Sequence, residues 1–145
     1  MAITQALSNS FKKQLLDGDH PFASGSDVYK IALYTSSATL NSATTSYTTG
    51  NEVGNSGQYS AGGGKLTGNN TSIASGVAIV DFADRSFTGV TLTARGALIY
   101  NTSSTATNAA VAALDFGADK TATSGTFTIQ FPAFTTAAAI LRISG

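Results

Sequence analysis

The sequence contains no cysteine and no tryptophan, and it has only one histidine and one methionine. The absence of cysteine excludes disulfides, thiolate catalysis and most structural zinc sites. The single histidine, His20, precedes Pro21 and lacks the partners that a metal site or a Ser-His-Asp relay needs, so we interpret it as a turn residue. The sequence therefore predicts a protein that is not an enzyme and that has no catalytic, cofactor-binding or metal-binding residues.

Charge is also scarce, because only 11% of the residues are charged, against about 25% in an average soluble protein. The 8 basic and 8 acidic residues cancel, so we expect neither nucleic acid nor an anionic membrane as a partner. The longest apolar runs, 109–114 and 137–141, are too short to span a bilayer. Residues 1–18 lack the apolar region of a secretory signal, which predicts synthesis in a cytosol.

Threonine and serine are abundant instead, with 21 and 17 copies beside 15 glycines. Threonine favours strands, whereas serine and glycine favour turns. The chain is organised around residues 95–117, which predict two strands, 96–100 and 110–116, joined by a polar loop. Both strands are so apolar that they need cover on both faces, which is typical of inner strands in a layered β fold.

Further strands are predicted from alternating or apolar patterns, and residues 119–125 are predicted as a turn-rich connection. The predicted strands cover residues 27–35, 65–67, 76–83, 87–94, 126–131 and 138–143. The total of about seven or eight strands, spaced without crossover helices, predicts an all-β fold of the β-sandwich or jelly-roll type. At 145 residues, the chain is expected to form a single domain spanning 1–145.

One N-terminal helix is predicted over residues 3–17. Ile3, Leu7, Phe11 and Leu15 recur every four residues, which places them on one face of a helix. Gly18 stands where a C-terminal glycine ends a helix. We expect this helix either to cover one end of the β domain or to clasp a neighbouring subunit.

Residues 36–64 form a long polar segment without a clear pattern. Such a segment is rare in a compact domain, so it is an exposed arm, a contact loop, or a set of strands too polar to recognise. Tyr34, Tyr47 and Tyr59 lie in or beside it, and they either serve a contact surface or pack beneath their own loop.

Acidic residues offer the main alternative to a purely structural reading. Asp81, Asp84, Asp115 and Asp119 follow two predicted strands, so they either close strands through local hydrogen bonds or together bind Ca²⁺. A carboxylate pair for glycoside hydrolysis would draw on these residues or on Glu52, but nothing fixes their separation. We therefore favour the strand-closing role.

The remaining candidates are a glycine run, which fails as a functional signature, and the arginines. Gly62, Gly63, Gly64 and Lys65 suggest a phosphate loop, but Leu66 occupies the place of the required Ser or Thr. The arginines are scattered over the chain, and the last of them is expected to pair with a carboxylate or to reach the surface. These arginines are Arg85, Arg95 and Arg142.

Several stretches nevertheless resemble a family of tailed-bacteriophage virion structural proteins, and they keep the family's order over nearly the whole chain. The matching stretches are SFKKQLLDGDHPF, YKIALYTSSATLNSATTSYTTGNEV, YSAGGGKLT, RGALIYNTS, LDFGADKTATSGTFTIQFP and AAILRISG. None is a catalytic signature, so the resemblance is to a structural family. Within residues 68–94 the chain lacks the Trp-bearing strand of that family.

The resemblance implies a component of the phage particle, most specifically a capsid decoration (cement) protein on the outer capsid surface, made in the cytoplasm of a bacterial host. Its expected partners are the major capsid protein and further copies of itself, as a dimer or trimer. The N-terminal helix or residues 36–64 would supply the docking arm. A tail or baseplate protein is the first alternative, and a module that binds host-surface glycans is the second.

Overall fold

The computed structural model describes residues 2–23, 25–132 and 139–144, and all structural statements below concern these residues. They form one helix, α1 (Asn9–Leu16), and eight strands. The strands are β1 (Ala6–Leu7), β2 (Tyr29–Tyr34), β3 (Gly64–Lys65), β4 (Asn70–Ala74), β5 (Val77–Asp81), β6 (Arg85–Asn101), β7 (Ala109–Ile129) and β8 (Leu141–Ile143). No helix in the described part of the chain is long and apolar enough to cross a membrane.

The strands make two antiparallel sheets. The large sheet has the order β1-β7-β6-β2-β3, and the small sheet has the order β4-β5-β8. The long hairpin of β6 and β7 runs through the large sheet, and both of the central strands predicted from residues 95–117 belong to it. The predicted all-β, sandwich-like fold with a single helix is confirmed.

The inner strands of the large sheet are covered on both faces, as their apolar sequence predicts. On one face, Ile31, Ile99 and Leu114 share a core with Phe11 of α1 and Leu141 of the small sheet. This shared core holds the small sheet and the helix against the large sheet, because burial of large apolar side chains is the main stabilising contribution to folding.

The opposite face is covered by loop segments instead of a sheet. Ala32, Leu98 and Tyr100 pack there with Ile3 and Leu40, and all five are buried. Short pairings hold these segments in place, including a bridge between Ile3 and Leu40. The segment 36–64 is therefore a packed covering loop, and the alternative of an exposed arm is wrong.

The predicted helix over residues 3–17 is wrong in its first half, because α1 begins only at Asn9. Ala6 and Leu7 pair with β7, and the Ser8 N–H donates to the Val111 carbonyl oxygen at 3.0 Å. The apolar spacing of four fits both states, and pairing with an open sheet edge competes successfully with the first helical turns. Gly18 ends the helix with φ +86°, as predicted.

Two predicted breaks in the long hairpin are also wrong. Residues 87–94 and 96–100 belong to one strand, and the predicted connection 119–125 is part of β7. Gly117 and Ser124 have positive φ, and the pairing register shifts near both, so local bulges absorb the turn-like residues. The continuous partner β6 keeps the ladder going across these irregularities.

At the smaller strands the outcomes differ. Residues 76–83 contain β5, and residues 65–67 overlap β3, which is shifted by one residue toward the N-terminus. Strand β4 was not predicted, because Asn70 and Ser72 favour turns and Ile73 is the single large apolar side chain of the strand. Of the predicted last strand 138–143, residue 138 lies outside the described residues and β8 occupies 141–143.

Candidate functional site

An apolar groove with a volume of about 550 Å³ lies between α1 and the small sheet. The helix supplies Phe11, Leu15 and Leu16 to one wall. The sheet supplies the other wall, with Thr71, Ala78, Val80, Leu141 and Ile143 among its lining residues. We call this feature the helix groove.

These lining residues lie on one face of the small sheet. Thr71 is opposite Val80, which is opposite Leu141, and Ile73, Ala78 and Ile143 form the neighbouring row across the three strands. Because side chains directly opposite each other in a ladder point to the same face, both rows share the face that turns toward α1. The inner row is anchored in the core through Leu141, whereas the outer row is exposed.

The described part of the chain exposes three large apolar side chains, and all three gather here. Leu16 is 89% exposed, Ile73 is 73% exposed and Ile143 is 58% exposed. Leu16 and Ile143 line the helix groove, and Ile73 stands beside Ala78 at its margin. Scattered exposed hydrophobic residues are normal, but a cluster beside a groove is typical of an interaction surface.

Two charged residues are found among the described residues that line the groove. Lys12 comes from α1 and Arg142 comes from β8. Arg142 is exposed. The largely apolar lining of the groove therefore suits an apolar segment of a partner.

Glu52 lies in a different place, where it fastens the covering loop 36–64. Its carboxylate accepts hydrogen bonds from the Tyr47 hydroxyl at 2.5 Å, from the Tyr59 hydroxyl at 2.7 Å and from the Gly62 N–H at 2.7 Å. The Tyr59 hydroxyl in turn accepts from the Leu33 N–H at 2.8 Å. Glu52 thus joins the loop to strand β2, and both of its carboxylate oxygens accept hydrogen bonds from within the fold.

The tyrosines around Glu52 act as neutral donors. Burial raises the pKa of Tyr100 to about 12, and burial also raises the pKa of Tyr34, Tyr47 and Tyr59, so all four keep their protons at ordinary pH. Tyr47 stacks on Tyr100 with ring centroids 4.8 Å apart. Of the two roles predicted for the loop tyrosines, packing beneath their own loop is the one observed.

His20 is buried in a hydrogen-bonded chain. Its Nε2 lies 2.8 Å from Gln14 Oε1, and its Nδ1 lies 3.0 Å from Asn101 Nδ2. Since the Asn101 amide also donates to Asp27 Oδ2, His20 accepts at Nδ1 and donates from Nε2, which fixes a neutral tautomer. Burial lowers the pKa of His20 against the opposing effect of Asp19 and Asp27. The residue closes a turn, with φ +76°.

The four aspartates predicted near strand ends do not form a cluster. In the described part of the chain, no group of three or more His, Cys, Asp or Glu residues is placed to hold a metal ion. Asp84 accepts a hydrogen bond from the Phe131 N–H, and Asp115 accepts from the Gly117 N–H and pairs with Arg95 at 3.2 Å. These two donors, the Gly117 N–H first and the Arg95 side chain second, lower the pKa of Asp115.

The remaining candidates have local roles. A side chain at Gly63 would overlap the Ile31 carbonyl oxygen, and one at Gly64 would overlap the Arg85 guanidinium. The glycine run therefore permits close backbone packing beside strand β2. Arg85 lies over the Phe87 ring, 4.7 Å from its centroid. Asp81 keeps one buried carboxylate oxygen without a hydrogen bond.

Sequence reasoning missed the residues that form the helix groove. Leu16, Ile73 and Ile143 come from three distant parts of the chain, and only the fold, which sets α1 and the small sheet on two sides of the groove, brings them together. One signal was available, because Leu16 follows the predicted stripe of Ile3, Leu7, Phe11 and Leu15 by one position. A large apolar side chain off the buried stripe of a helix is expected to face solvent.

No protein-family profile matches the chain, and no curated protein or solved structure shows significant similarity to it.

Proposed function

We propose that the protein is a capsid decoration protein of a tailed bacteriophage, which binds the assembled lattice of the major capsid protein through the helix groove. The observation that carries the proposal is the gathering of Leu16, Ile73 and Ile143 at one groove. Burial of one such side chain contributes about 1.5–3 kcal/mol, so three in one patch can support a specific contact. The resemblance of the stretches quoted above supplies the phage context.

The polar groups of the described residues support a binding role over catalysis. Glu52 and His20 are engaged in structural hydrogen bonds, and no group of three or more acidic or histidine residues gathers among the described residues. The aromatic side chains of the described residues are buried or partly buried, so they offer no exposed platform for stacking on sugars. This arrangement favours the decoration protein over the glycan-binding alternative.

Decoration works through mass action. A protein that binds the assembled shell, and not free subunits, stabilises the shell by an amount that grows with its concentration relative to its Kd. Each contact can be weak, because a lattice presents many equivalent sites and linked contacts add avidity. A near-neutral surface also avoids repulsion between neighbouring copies on the shell.

The first test is copy number in purified virions, measured by quantitative gel. A decoration protein is expected in fixed stoichiometry with the major capsid protein. A small number of copies per particle would contradict the proposal and would indicate a tail or baseplate protein. Binding to a glycan array, without binding to capsids, would equally contradict it.

The second test is cosedimentation of the purified protein with capsids that lack it. Leu16→Glu is expected to weaken binding by about tenfold to a hundredfold, because the loss of one buried apolar side chain costs about 1.5–3 kcal/mol. Thr123→Glu, which adds the same charge at an exposed position of β7 away from the groove, serves as the matched control and should bind normally. Equal binding of both variants would exclude the helix groove as the docking surface.

A further inference from the structure

The hairpin of β4 and β5 has a geometry that fixes which backbone groups it leaves unpaired. Ser75 and Gly76 connect the strands, and both have positive φ, at 50° and 76°. Two consecutive residues with positive φ define a type I′ two-residue turn. The residues that flank such a turn, Ala74 and Val77, are directly opposite each other and form a hydrogen-bonded pair.

Hydrogen-bonded and non-bonded pairs alternate along an antiparallel ladder. Because this alternation starts from Ala74, the backbone N–H and C=O groups of Ser72 and Asn70 also point toward β5. Thr71 and Ile73 therefore direct their N–H and C=O groups away from β5, to the outer edge of the small sheet. Among the described residues, no strand pairs with this edge.

The β4 edge is regular, exposed and uncharged. All five residues of β4 are exposed. No charged residue occurs between Lys65 and Asp81, so the whole hairpin up to the end of β5 is neutral. The outward Thr71 N–H is bonded only to the side chain of the preceding residue, with Asn70 Oδ1 at 2.9 Å. An edge of this kind is a template for another strand.

The outer edge of β7 shows the contrast. Beyond the short β1, it also lacks a strand partner in the described part of the chain, but it is protected. Gly117 and Ser124 bulge out of the ladder with positive φ, and Asp119 and Lys120 place exposed charges along it. Bulges and charges are the means by which edge strands avoid pairing. Bulges and charges thus protect the outer edge of β7 from pairing with another strand, whereas the outer edge of β4 has neither.

We propose that β4 pairs antiparallel with β4 of a second copy of this chain, across a two-fold axis at Ser72, to give a dimer with a continuous six-stranded sheet. The inference rests on this edge alone and does not depend on the proposed function. In this register Thr71 lies opposite Ile73 of the second copy. These are the residues with outward backbone groups, so the pair exchanges two hydrogen bonds, and the symmetric pair exchanges two more.

The second copy fits this edge better than an unrelated strand for two reasons. The register is self-complementary, because it places β-branched Thr71 and Ile73 side by side, a favourable cross-strand pair. Self-pairing across a two-fold axis also sets Ser72 against Ser72 and brings two identical hairpins together, which an uncharged hairpin accepts without repulsion. A two-fold axis perpendicular to the sheet keeps both helix grooves on the same face, so the dimer presents a doubled apolar surface.

The test uses the purified full-length chain in sedimentation equilibrium, without capsids. The wild-type protein is expected at twice the 14.7 kDa of one chain. Ser72→Glu and Ser72→Lys each place like charges directly opposite each other at the axis, and each should weaken the dimer by about tenfold. An equimolar mixture of the two variants should restore a heterodimer, since opposite charges then face each other.

Charge rescue on mixing is specific to self-pairing centred on Ser72, because a folding defect in either variant would persist in the mixture. Thr123→Glu controls for added charge and should dimerise normally. A wild-type monomer, a trimer, or a mixture that stays monomeric would overturn the proposal, and so would a dimer that Leu16→Glu abolishes while Ser72→Glu leaves it intact. Because capsid binding is measured separately with Leu16→Glu, failure of this inference is distinguishable from failure of the proposed function.

Discussion

Replacement of Glu52 should reveal how much the covering loop 36–64 contributes to stability. Glu52→Ala removes a carboxylate that accepts from Tyr47, Tyr59 and Gly62. Each hydrogen bond to a charged group contributes about 1.5–3 kcal/mol, but Tyr47 is partly exposed and can regain water. The Tyr59 hydroxyl is buried and would lose its acceptor. We therefore expect the free energy of unfolding to fall by about 3–5 kcal/mol.

Glu52→Gln is the matched control because it keeps the shape of the side chain. Its carbonyl oxygen can take the place of Oε2 and accept from Tyr59 and Gly62. Its amide then faces the Tyr47 hydroxyl, which can reverse its role and accept, with its own proton turned to solvent. The expected loss is about 1 kcal/mol, the typical net contribution of a neutral hydrogen bond.

The assay is urea unfolding, with the midpoint and the slope fitted separately. The expected effect is a lower midpoint at unchanged slope, since the extent of buried surface stays the same. A double-mutant cycle with Tyr59→Phe should give a coupling of about 1–2 kcal/mol, because the two groups are in direct contact. A loss below about 0.5 kcal/mol for Glu52→Ala would refute the reasoning, because such values are typical of surface positions without buried partners.

Three further predictions concern the core and its turns. The free energy of unfolding should fall as pH drops below 6.5, because the pKa of buried His20 is lowered in the folded state and the unfolded chain therefore binds the extra proton. His20→Gln should remove this pH dependence in unfolding curves measured at several pH values. The same pH dependence in the variant as in the wild type would contradict the prediction. Gly63→Ala should lower the free energy of unfolding by more than about 3 kcal/mol in thermal unfolding, because the added methyl group clashes with the Ile31 carbonyl oxygen and the backbone has a positive φ. An unchanged free energy of unfolding would disprove the close contact. Leu98→Ala should lower the free energy of unfolding in urea by about 2–5 kcal/mol, whereas Leu16→Ala at an exposed position should change it by no more than about 0.5 kcal/mol. Equal effects of the two substitutions would mean that the covering loop 36–64 does not exclude water from the sheet face beneath it.

Periodicity predicted the strands that are buried on one or both faces. Alternation of Ile31 and Leu33, and the apolar run around Leu98, report burial directly, because a strand's faces repeat every two residues. The same signal failed at Gly117 and Ser124, which have the composition of a turn and form bulges instead. Local sequence cannot distinguish a turn from a bulge when a long partner strand decides the outcome.

The candidate site was less predictable because its residues share no local pattern. Ile73 lies within a stretch of polar and small residues that favours turns, and Ile143 lies in a strand whose apolar sequence suggests burial. Their exposure depends on how far α1 and the small sheet lie apart, which is a property of tertiary packing. For Glu52 and the aspartates, the prediction that they have no catalytic role rested on the absence of motifs. The structure shows in addition that Glu52 accepts hydrogen bonds from two tyrosines and a backbone N–H, which no sequence motif indicates.

The abundance of hydroxyl groups connects the fold to its mode of recognition. Ser86 pairs with Thr128, and Thr93 pairs with Thr121, each at 2.9 Å across the hairpin of β6 and β7, so hydroxyls cover exposed strand faces where charged side chains usually stand. A neutral polar surface gathers few counterions and exerts little long-range force. The recognition that we propose comes from apolar contact at the helix groove and from backbone pairing at β4, both of which act at short range. Association through either surface should accordingly change little with salt concentration, in contrast to contacts that depend on charged side chains.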